Sequence, residues 1–394
     1  MNYYKEWVEP PFDLNRPIAV DSETAIPAGS VSRKKSLALY GDTRLMQFAQ
    51  DGEYVIYDCF HMNIEIIKSY FKDAHLYAHN AIYDFSCPDL QGWLPKELEC
   101  TLDMLKHANP RLGRFGLKDG LSHYGLGAKG EEGSSDWSVP ELTPQQLTYA
   151  ANDVIYLEQL YDKLKFVREK FRSYRLDMIN MRLSLQYQLN GFPVRESNRL
   201  VAIEEVKTHK FDYEMLLPEG LNVNSPKQVC KFLGTESSSA AVLSDRALRG
   251  DRKSENILQL RKYTKQLSTL EEKFCFPRIY GIFKPFGAIS GRFTSAGNGH
   301  TKQSQNLQQL PRELKKVFGY EDDNDLYLVD ADYTALEIHT AATLMGETKM
   351  IHIMESGGDL HTTTAMMVYN KSAEAITKRE RQIGKGLNFS LKIA

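Results

Sequence analysis

Two carboxylates follow a short apolar run near the N-terminus, and this pattern constrains the fold of the first part of the chain. Residues 17–20 (Pro-Ile-Ala-Val) are typical of a short buried strand, and Asp21 and Glu23 come directly after it. Side chains two residues apart on a strand point to the same face of the sheet. The pattern therefore predicts two acidic groups side by side at the end of a strand.

Two more carboxylates stand at the end or on the face of a predicted element. A strand-like run at residues 75–78 leads into His-Asn-Ala-Ile-Tyr-Asp, which ends at Asp84. A helix is predicted after Thr143, an N-cap that is followed by proline in the first helical position. Tyr149 and Asp153 are four residues apart on that helix and therefore share a face.

Convergence of these four carboxylates would create a strongly repulsive site that needs cations. Two Mg²⁺ or Mn²⁺ ions about 3.5–4 Å apart would offset the repulsion and hold a phosphodiester for in-line attack by water. Taken singly, each acid is equally compatible with an ordinary strand end or helix cap. The set as a whole favours a metal-dependent phosphodiesterase site.

The set resembles the site of DEDD-type 3′-5′ exonucleases, in their tyrosine variant, on an RNase H-like fold. The resemblance rests on DxE, HNAxxD and YxxxD, which occur in the correct order. It implies that Asp21, Glu23 and Asp153 ligate a first metal ion. It also implies that Asp84 supports a second ion, with Asp21 shared, and that Tyr149 orients the attacking water.

Two other stretches of the first domain are predicted to have supporting roles. Asp103 lies at the start of a predicted helix, where a structural role is expected. Residues 113–138 are rich in glycine and serine and are predicted to form a mobile loop near the site.

The middle of the chain is predicted to be helical. Apolar residues with helical spacing, from Leu176 to Tyr187, stop at Gly191, and Ser225 caps a helix that begins with proline. Residues 257–270 resemble the long thumb helix of family A DNA polymerases. Between residues 246 and 284 there are ten Lys or Arg and four acids, a local net charge of +6. This surplus predicts contact with a duplex backbone, and a solvated helix face is the alternative.

A second polymerase-like pattern lies in residues 286–311. Residues 286–295 are predicted to form a strand, a tight turn and a strand, with Arg292 after the turn glycine. Together with Asn-Leu-Gln-Gln-Leu-Pro at 306–311, this pattern resembles the family A signature GR-(small)-S followed by NLQ-x-(I/L)-P. The resemblance implies that Arg292, Asn306 and Gln308 contact the primer terminus and template in the minor groove.

The segment from residue 326 to Glu337 resembles motif A of the same family. Residues 326–329 are predicted to form a buried strand, and Asp330 and Asp332 follow it. A carboxylate at a strand end can hold a divalent metal against phosphate. The resemblance implies that Asp332 binds metal and that Glu337 closes the ribose pocket.

Two later segments resemble the nucleotide-binding parts of the family. Gly-Asp-Leu-His-Thr at 358–362 resembles the D-(I/L)-H-T segment, which implies that His361 contacts the incoming triphosphate. Arg381, Lys385 and Phe389 are spaced four apart, so they share one helix face. Two cations for phosphates and a ring for the base resemble motif B.

These patterns predict an α/β chain of three parts: a 3′-5′ exonuclease domain with an RNase H-like fold, a thumb-like helical region that grips DNA, and an incomplete α+β palm with the start of the fingers. The predicted boundaries are 1–165, 166–283 and 284–394. No motif C with its second metal-binding carboxylate follows before Ala394. We therefore expect exonuclease activity, no polymerisation by this chain alone, and a continuation of the polymerase that is spliced on or supplied as a second chain. With that continuation, deoxynucleoside triphosphates (dNTPs) would be substrates.

Composition is compatible with a DNA enzyme of the cytoplasm. The net charge of −2 does not exclude a local basic surface. No apolar run reaches the roughly 18 residues that a membrane span needs, and the N-terminus lacks the order of a signal peptide. The five scattered cysteines indicate reduced thiols, in a bacterial or phage-infected cell.

Two alternatives to a phage-type family A polymerase stay open at this point. One is a free-standing DEDD exonuclease that uses the later regions only to grip DNA. The other is a non-catalytic DNA-binding relic. The expected partner is DNA in every case, as a single-stranded 3′ end and as a primer–template duplex. A relic would bind DNA without catalysing a reaction.

Overall fold

The computed structural model describes residues 2–25, 42–90, 92–127, 135–288, 290–297, 303–321, 328–329 and 331–390, without the side chains of Pro88 and Phe389. It divides into two compact units, Met1–Tyr327 and Leu328–Ala394. None of the described helices has the length and apolar character that crossing a lipid bilayer requires.

The strands all lie in the first unit within the described residues. They are β1 (Tyr3–Tyr4), β2 (Ile18–Ala25), β3 (Asp42–Gln50), β4 (Glu53–Asp58), β5 (His75–Ala78), β6 (Glu97–Cys100), β7 (Phe192–Pro193), β8 (Arg278–Ile279), β9 (Ile282–Lys284) and β10 (Thr294–Ala296).

The first helices of this unit pack on its strands, and the later ones build the helical middle of the chain. They are α1 (Ile64–Tyr70), α2 (Ala81–Asp84), α3 (Thr101–Ala108), α4 (Leu117–Tyr124), α5 (Pro144–Leu164), α6 (Phe166–Lys170), α7 (Arg172–Asn190), α8 (Glu196–Glu214), α9 (Pro226–Leu233), α10 (Ala240–Leu248) and α11 (Arg252–Ser268). The second unit contains α12 (Leu336–Met345), α13 (Thr348–Glu355), α14 (Leu360–Tyr369) and α15 (Lys378–Ser390).

The first six strands form one mixed sheet in the order β1-β4-β3-β2-β5-β6. β2, β3 and β4 pair antiparallel, whereas β5 and β6 run parallel to β2. β2 has a neighbour on each side, and its first residues Ile18, Ala19 and Val20 are completely buried. The predicted α/β fold of the first part of the chain is therefore confirmed.

Helix α5 packs across β2, β3 and β4, and its start agrees with the sequence prediction. The Thr143 hydroxyl accepts a hydrogen bond from the backbone N–H of Gln146, whose side chain accepts one from the Thr143 N–H. This reciprocal pair satisfies two backbone donors that would otherwise lack a partner. This cap sets the start of α5 and therefore the positions of Tyr149 and Asp153 along the helix.

A buried ion pair connects strands β3 and β4. The Arg44 guanidinium on β3 lies 3.1 Å from the Asp58 carboxylate on β4, and neither side chain is exposed. Asp58 also accepts a hydrogen bond from the Tyr3 hydroxyl of β1, and it lies 3.0 Å from His61 Nδ1. Arg44 donates a second bond to the carbonyl of Pro140, 3.0 Å away, just before α5. One carboxylate thus connects three strands, and its partner reaches the approach to α5.

The predicted loop at residues 113–138 is wrong in part, because α4 occupies Leu117–Tyr124. Leu117 and Leu121 are one turn apart and buried, and Gly125 ends the helix with a φ of 66°. Trp137, in the same stretch, is only 4% exposed. Residues 128–134 of this stretch lie outside the described residues.

The helical middle follows the predicted pattern with one difference of orientation. Ser225 accepts from the N–H of Gln228 and caps α9, and α7 ends at Gly191. The apolar positions Leu176, Ile179, Leu183 and Tyr187 on α7, however, are 37–56% exposed. The buried side of α7 is the neighbouring one, which contains Tyr174, Met178, Met181 and Leu185.

Two predicted strands differ from the structure. The first strand predicted within 286–295 is wrong for its described residues, because β9 ends at Lys284 and residues 286–288 belong to no strand, and the second strand begins only at Thr294 as β10. The predicted buried strand at 326–329, and with it the first strand of the palm, is wrong for its described part. Leu328 and Val329 are 49% and 89% exposed and have no partner strand among the described residues. An apolar run forms a strand only where a neighbour completes its backbone hydrogen bonds.

Replacement of the buried carboxylate Asp58→Asn should lower the free energy of unfolding by about 3–5 kcal/mol, because it leaves the Arg44 guanidinium without a counter-charge. Urea unfolding followed by tryptophan fluorescence measures this locally, since the chain's three tryptophans, Trp7, Trp93 and Trp137, all lie in the first part of the chain.

Asp51→Asn is the matched control, because Asp51 pairs with Arg16 at the surface, where both side chains are more than half exposed. Its unfolding midpoint should stay nearly unchanged, since solvent and salt screen such pairs. Equal shifts for Asp51→Asn and Asp58→Asn would show that the buried pair matters no more to stability than the surface pair.

Candidate active site

Strand β2 presents the first two acidic side chains of the predicted nuclease site. Asp21 pairs with Gln47 and Glu23 with Leu45 of β3, and the register shifts between Glu23 and Thr24. Asp21 and Glu23 are two residues apart on the strand, so they lie on one face. The pairing continues in the shifted register with Thr24 opposite Thr43, so the irregularity lies directly after Glu23.

Asp153 on α5 completes a close group with these two acids. One carboxylate oxygen from each of Asp21, Glu23 and Asp153 lies within 4.8 Å of the others. Asp153 is only 1% exposed. Carboxylate oxygens are the ligands that Mg²⁺ and Mn²⁺ prefer, and three of them around one point fit such an ion. We refer to these three residues as the acidic trio.

Asp84 is connected to the strand of the acidic trio through Ser22 but is not a member of the trio. It is 3% exposed at the end of α2, and its Oδ1 accepts a hydrogen bond of 2.8 Å from the Ser22 hydroxyl. Ser22 stands between Asp21 and Glu23 on β2. Ser22 was not predicted from the sequence, because a residue between Asp21 and Glu23 on a strand points away from them and their spacing gives no signal for it.

A polar turn orients α2 and therefore Asp84. Asn80 has a φ of 67°, in the left-handed region that asparagine tolerates. The His79 ring before it hydrogen-bonds through Nδ1 to the Thr101 hydroxyl (3.0 Å) and through Nε2 to the Phe115 carbonyl (2.9 Å). His79 and Asn80 therefore have a structural role, because they set the conformation of the turn that leads into α2.

Tyr149 lies one turn before Asp153 on the buried side of α5. It is 5% exposed, and its ring centroid lies 6.2 Å from that of Trp137. The sequence predicts a mobile loop around Trp137, but this side chain packs against Tyr149, the tyrosine predicted to orient water. On α2, burial raises the pKa of Tyr83 to about 12, and its hydroxyl lies 3.2 Å from that of Thr24.

The predicted DNA-contacting residues lie together in the first unit, around β9 and β10. Arg292 is exposed in the turn that joins the two strands, and Gln308 is exposed in a short 3₁₀ helix that packs against β10. The Asn306 side chain caps that helix, accepting from the N–H of Gln308 at 3.2 Å. Asn306 therefore also has a structural role that the sequence analysis did not assign.

The motif A residues of the second unit do not form a carboxylate cluster within the described residues. Asp332 and Glu337 are both exposed, the former before α12 and the latter in its first turn. Asp330 lies outside the described residues.

The other predicted nucleotide-binding residues lie on the packed helix pair α14–α15. His361, in the first turn of α14, is 8% exposed, whereas Arg381 and Lys385 lie more openly on α15. Phe389 belongs to α15, but its side chain lies outside the described part of the structure. The structure thus brings a histidine and two cations to one pair of helices.

Asp359, which the sequence analysis did not single out, organises this helix pair. Its carboxylate accepts hydrogen bonds from Arg381 Nε at 2.5 Å, from the Thr362 hydroxyl at 2.6 Å and from the N–H of His361 at 3.2 Å. Burial alone would raise the pKa of Asp359, but these hydrogen bonds and the Arg381 charge outweigh it and lower the pKa to about 2. Asp359 therefore stays ionised and fixes Arg381.

Two sequence profiles of known families match this chain. The profile of 3′-5′ exonucleases matches residues 4–167, and that of DNA polymerase family A matches residues 197–392. The nuclease-like sheet with its acidic trio and the motif-bearing helices that follow define a polymerase-type chain with a nuclease domain. The chain belongs to family A of the DNA polymerases, in the form that has an N-terminal 3′-5′ exonuclease domain.

Individual relatives agree with this assignment. DNA polymerase I of Aquifex aeolicus (strain VF5) is 27% identical over 390 residues, which cover 88% of this chain and 66% of that protein. A thermostable DNA polymerase I of Thermus thermophilus is 31% identical over 213 residues, 48% of this chain and 25% of that protein. The chain thus spans no more than about two thirds of the length of these relatives.

A solved structure supports the fold. The polymerase domain of Pol1 from M. smegmatis, in complex with DNA primer-template and dNTP, matches with a TM-score of 0.66 and 17% sequence identity. The match covers 95% of this chain and 67% of that one. The phage type predicted from the sequence is not tested by these relatives and stays a prediction.

The variant Asp153→Asn, which replaces one acid of the acidic trio, should raise the melting temperature in EDTA, because it removes a charge from a repulsive cluster. Added Mg²⁺ should stabilise the wild type by about 2.7 kcal/mol at 100 times its Kd, but should stabilise the variant much less. Thermal unfolding with and without Mg²⁺ measures both effects. Asp162→Asn, at an exposed position of the same helix, is the control and should behave like the wild type.

The pair Asp359–Arg381 makes a prediction about pH. Because the folded-state pKa lies below the ordinary value, the pair stabilises α14–α15 at any pH above that ordinary value, and the stabilisation is lost as pH falls through about 2. Arg381→Ala should raise the pKa of Asp359 toward its ordinary value, measured from its carboxyl carbon shift by NMR. Lys378→Ala removes a charge from the same helix and should leave that pKa unchanged.

Proposed function

We propose that this chain is a DNA-directed DNA polymerase of family A whose first part is a metal-dependent 3′-5′ exonuclease that removes nucleotides from the 3′ end of DNA. The observation that carries the proposal is the acidic trio, with one oxygen of each acid within 4.8 Å of the others. Its support is the order of the motifs on β2, α2 and α5 and the match to the exonuclease profile over residues 4–167.

In this proposal each residue of the nuclease site has one role. Asp21, Glu23 and Asp153 hold one divalent ion, and Asp84 supports a second together with Asp21. When bound, Mg²⁺ or Mn²⁺ would offset the charge of the scissile phosphate and lower the pKa of water. The Tyr149 hydroxyl holds the attacking water in line with the phosphorus.

The reaction is hydrolysis of the last phosphodiester. The water oxygen bonds to phosphorus, and the 3′ oxygen of the preceding nucleotide leaves and takes up a proton. The products are a nucleoside 5′-monophosphate and a strand that is one nucleotide shorter with a free 3′ hydroxyl. Carboxylates on a strand paired on both sides and on a packed helix suit this reaction, because positioning and charge do most of the catalysis.

The polymerase part supplies a second set of roles. The primer–template duplex is contacted by Arg292, Asn306 and Gln308, and a metal ion is bound by Asp332. The dNTP is bound by Glu337, His361, Arg381, Lys385 and Phe389. We assign the DNA-gripping helices to the region 166–283, between the nuclease region 1–165 and the palm and fingers region 284–394. We assign the protein to the cytoplasm of a bacterial or phage-infected cell. The separate chain expected to carry further polymerase residues stays a prediction.

A single-stranded DNA oligonucleotide labelled at its 5′ end tests the nuclease proposal. With Mg²⁺ the wild type should shorten it from the 3′ end, EDTA should stop the reaction, and Asp21→Ala should abolish it. Tyr149→Phe should slow it by about 100-fold, the usual size of a proton-transfer or water-orienting contribution. Asp73→Ala, which removes a surface acid from the same domain, is the control and should have full activity.

The result separates the proposal from a DNA-binding protein without catalysis. If the wild type degrades no DNA in the presence of Mg²⁺ or Mn²⁺, the nuclease assignment is wrong. If degradation persists in Asp21→Ala, the acidic trio is not its site.

A free-standing exonuclease is the second candidate, and dNTP-dependent DNA binding distinguishes it from a polymerase. The Asp21→Ala variant is bound to a primer–template whose primer ends in a dideoxynucleotide, so that neither degradation nor extension occurs. In a polymerase, the dNTP complementary to the next template base should slow dissociation of this complex, and Lys385→Ala should remove the effect. A protein that only degrades DNA should show no dNTP effect at all.

A further inference from the structure

A side-chain amide on α15 contacts the predicted phosphate-binding histidine. Asn388 Nδ2 lies 3.0 Å from His361 Nδ1 and 3.4 Å from the Leu360 carbonyl oxygen. Its Oδ1 lies 2.9 Å from the Thr364 hydroxyl. The amide is therefore surrounded on both ends by polar groups of α14.

The Leu360 carbonyl decides which way the amide is oriented. A carbonyl oxygen only accepts hydrogen bonds, so the amide nitrogen, and not the amide oxygen, must face it. The opposite orientation would place two acceptor oxygens against each other. With the nitrogen on this side, Oδ1 lies 2.9 Å from the Thr364 hydroxyl, which also lies 2.9 Å from the Leu360 carbonyl oxygen and shares its single hydrogen between these two acceptors.

This orientation determines where the hydrogen of the His361 ring lies. The amide N–H points at Nδ1, so Nδ1 must offer its lone pair. In a neutral imidazole the single ring hydrogen is then on Nε2. A hydrogen on Nδ1 would face the hydrogens of the amide and break the bond.

The close approach of α14 and α15 brings Asn388 to the His361 ring. A Cβ atom at Gly384 would lie 2.4 Å from the His361 carbonyl oxygen and 3.1 Å from the Ala365 nitrogen, so only glycine permits the observed approach. Asn388 is one turn further along α15 and therefore reaches the His361 ring. Asp359 meanwhile holds the His361 backbone N–H at 3.2 Å.

We propose that Asn388 is a positioning residue that holds His361 in the neutral tautomer with its hydrogen on Nε2. In that form His361 donates a hydrogen bond from Nε2 to a phosphate oxygen of a nucleoside triphosphate, while Arg381 and Lys385 supply positive charge. This step rests on the nucleotide-binding role assigned to His361 under the proposed function. The other tautomer would turn a lone pair toward the phosphate, and two acceptors repel.

The tautomer is measured directly on the full chain labelled with ¹⁵N-histidine. Two-bond ¹⁵N–¹H correlation spectra distinguish the two neutral forms, and a His361→Gln variant identifies the signal among the ten histidines. The wild type should show the Nε2–H form. Asn388→Asp keeps the shape but offers only acceptors, so at a pH high enough to keep the ring neutral it should shift His361 to the Nδ1–H form.

Nucleotide affinity separates a positioning role from a structural one. Binding of dATP with Mg²⁺, measured by calorimetry, should weaken about 10- to 100-fold in Asn388→Asp, the size expected when a hydrogen bond to a charged phosphate is lost. Gln382→Glu introduces the same charge at an exposed position of the same helix and is the matched control. It should keep the wild-type tautomer and bind dATP far more tightly than Asn388→Asp.

Each outcome decides the proposal. An Nδ1–H form in the wild type overturns it, and this measurement needs no variant to fold. Equal dATP affinities of Asn388→Asp and Gln382→Glu also overturn it, because the amide then has no role in binding. If the wild type shows the Nε2–H form but binds no dATP, the failure lies in the nucleotide site of the proposed function, and the positioning role falls with it.

Discussion

The repulsion among three carboxylates is the constraint on which the nuclease part of this protein depends. Asp21, Glu23 and Asp153 place oxygens within 4.8 Å of one another, and Asp153 is almost fully buried. Like charges at this separation in a poorly hydrated site destabilise the fold unless a cation is bound. Their positions persist because β2 is hydrogen-bonded on both sides and α5 packs across three strands. The surrounding sheet therefore bears the energetic cost of a site that is ready for metal.

In the second unit, side chains of the proposed nucleotide site are held in place by attraction and hydrogen bonds instead of being close to groups of like charge. Arg381 is already paired with Asp359, and the His361 ring is already bonded to Asn388. These contacts fix the Arg381 and His361 side chains before any ligand binds, which lowers the conformational entropy lost on binding. Under the proposed function, a triphosphate would have to compete with Asp359 for Arg381.

The sequence predicted the elements whose signals are local and failed where packing decides. Thr143 with its proline placed the start of α5 correctly, and the spacing of Asp21 and Glu23 on a strand predicted their shared face. The helix α4 was missed because its glycines indicated a loop. Gly120 is inside that helix for a packing reason, since a Cβ there would lie 3.0 Å from a Leu160 methyl group. On α7 the period identified a helix, but apolar residues on two sides could not show which side is buried.

The two proposed activities differ in what they require of the chain. Each predicted nuclease residue lies on β2, α2 or α5, around a single sheet within one compact unit. The polymerase residues are divided, with Arg292, Asn306 and Gln308 in the first unit and the remaining ones, including Asp332 and His361, in the second. A site within one packed sheet is positioned by the folding of that sheet alone.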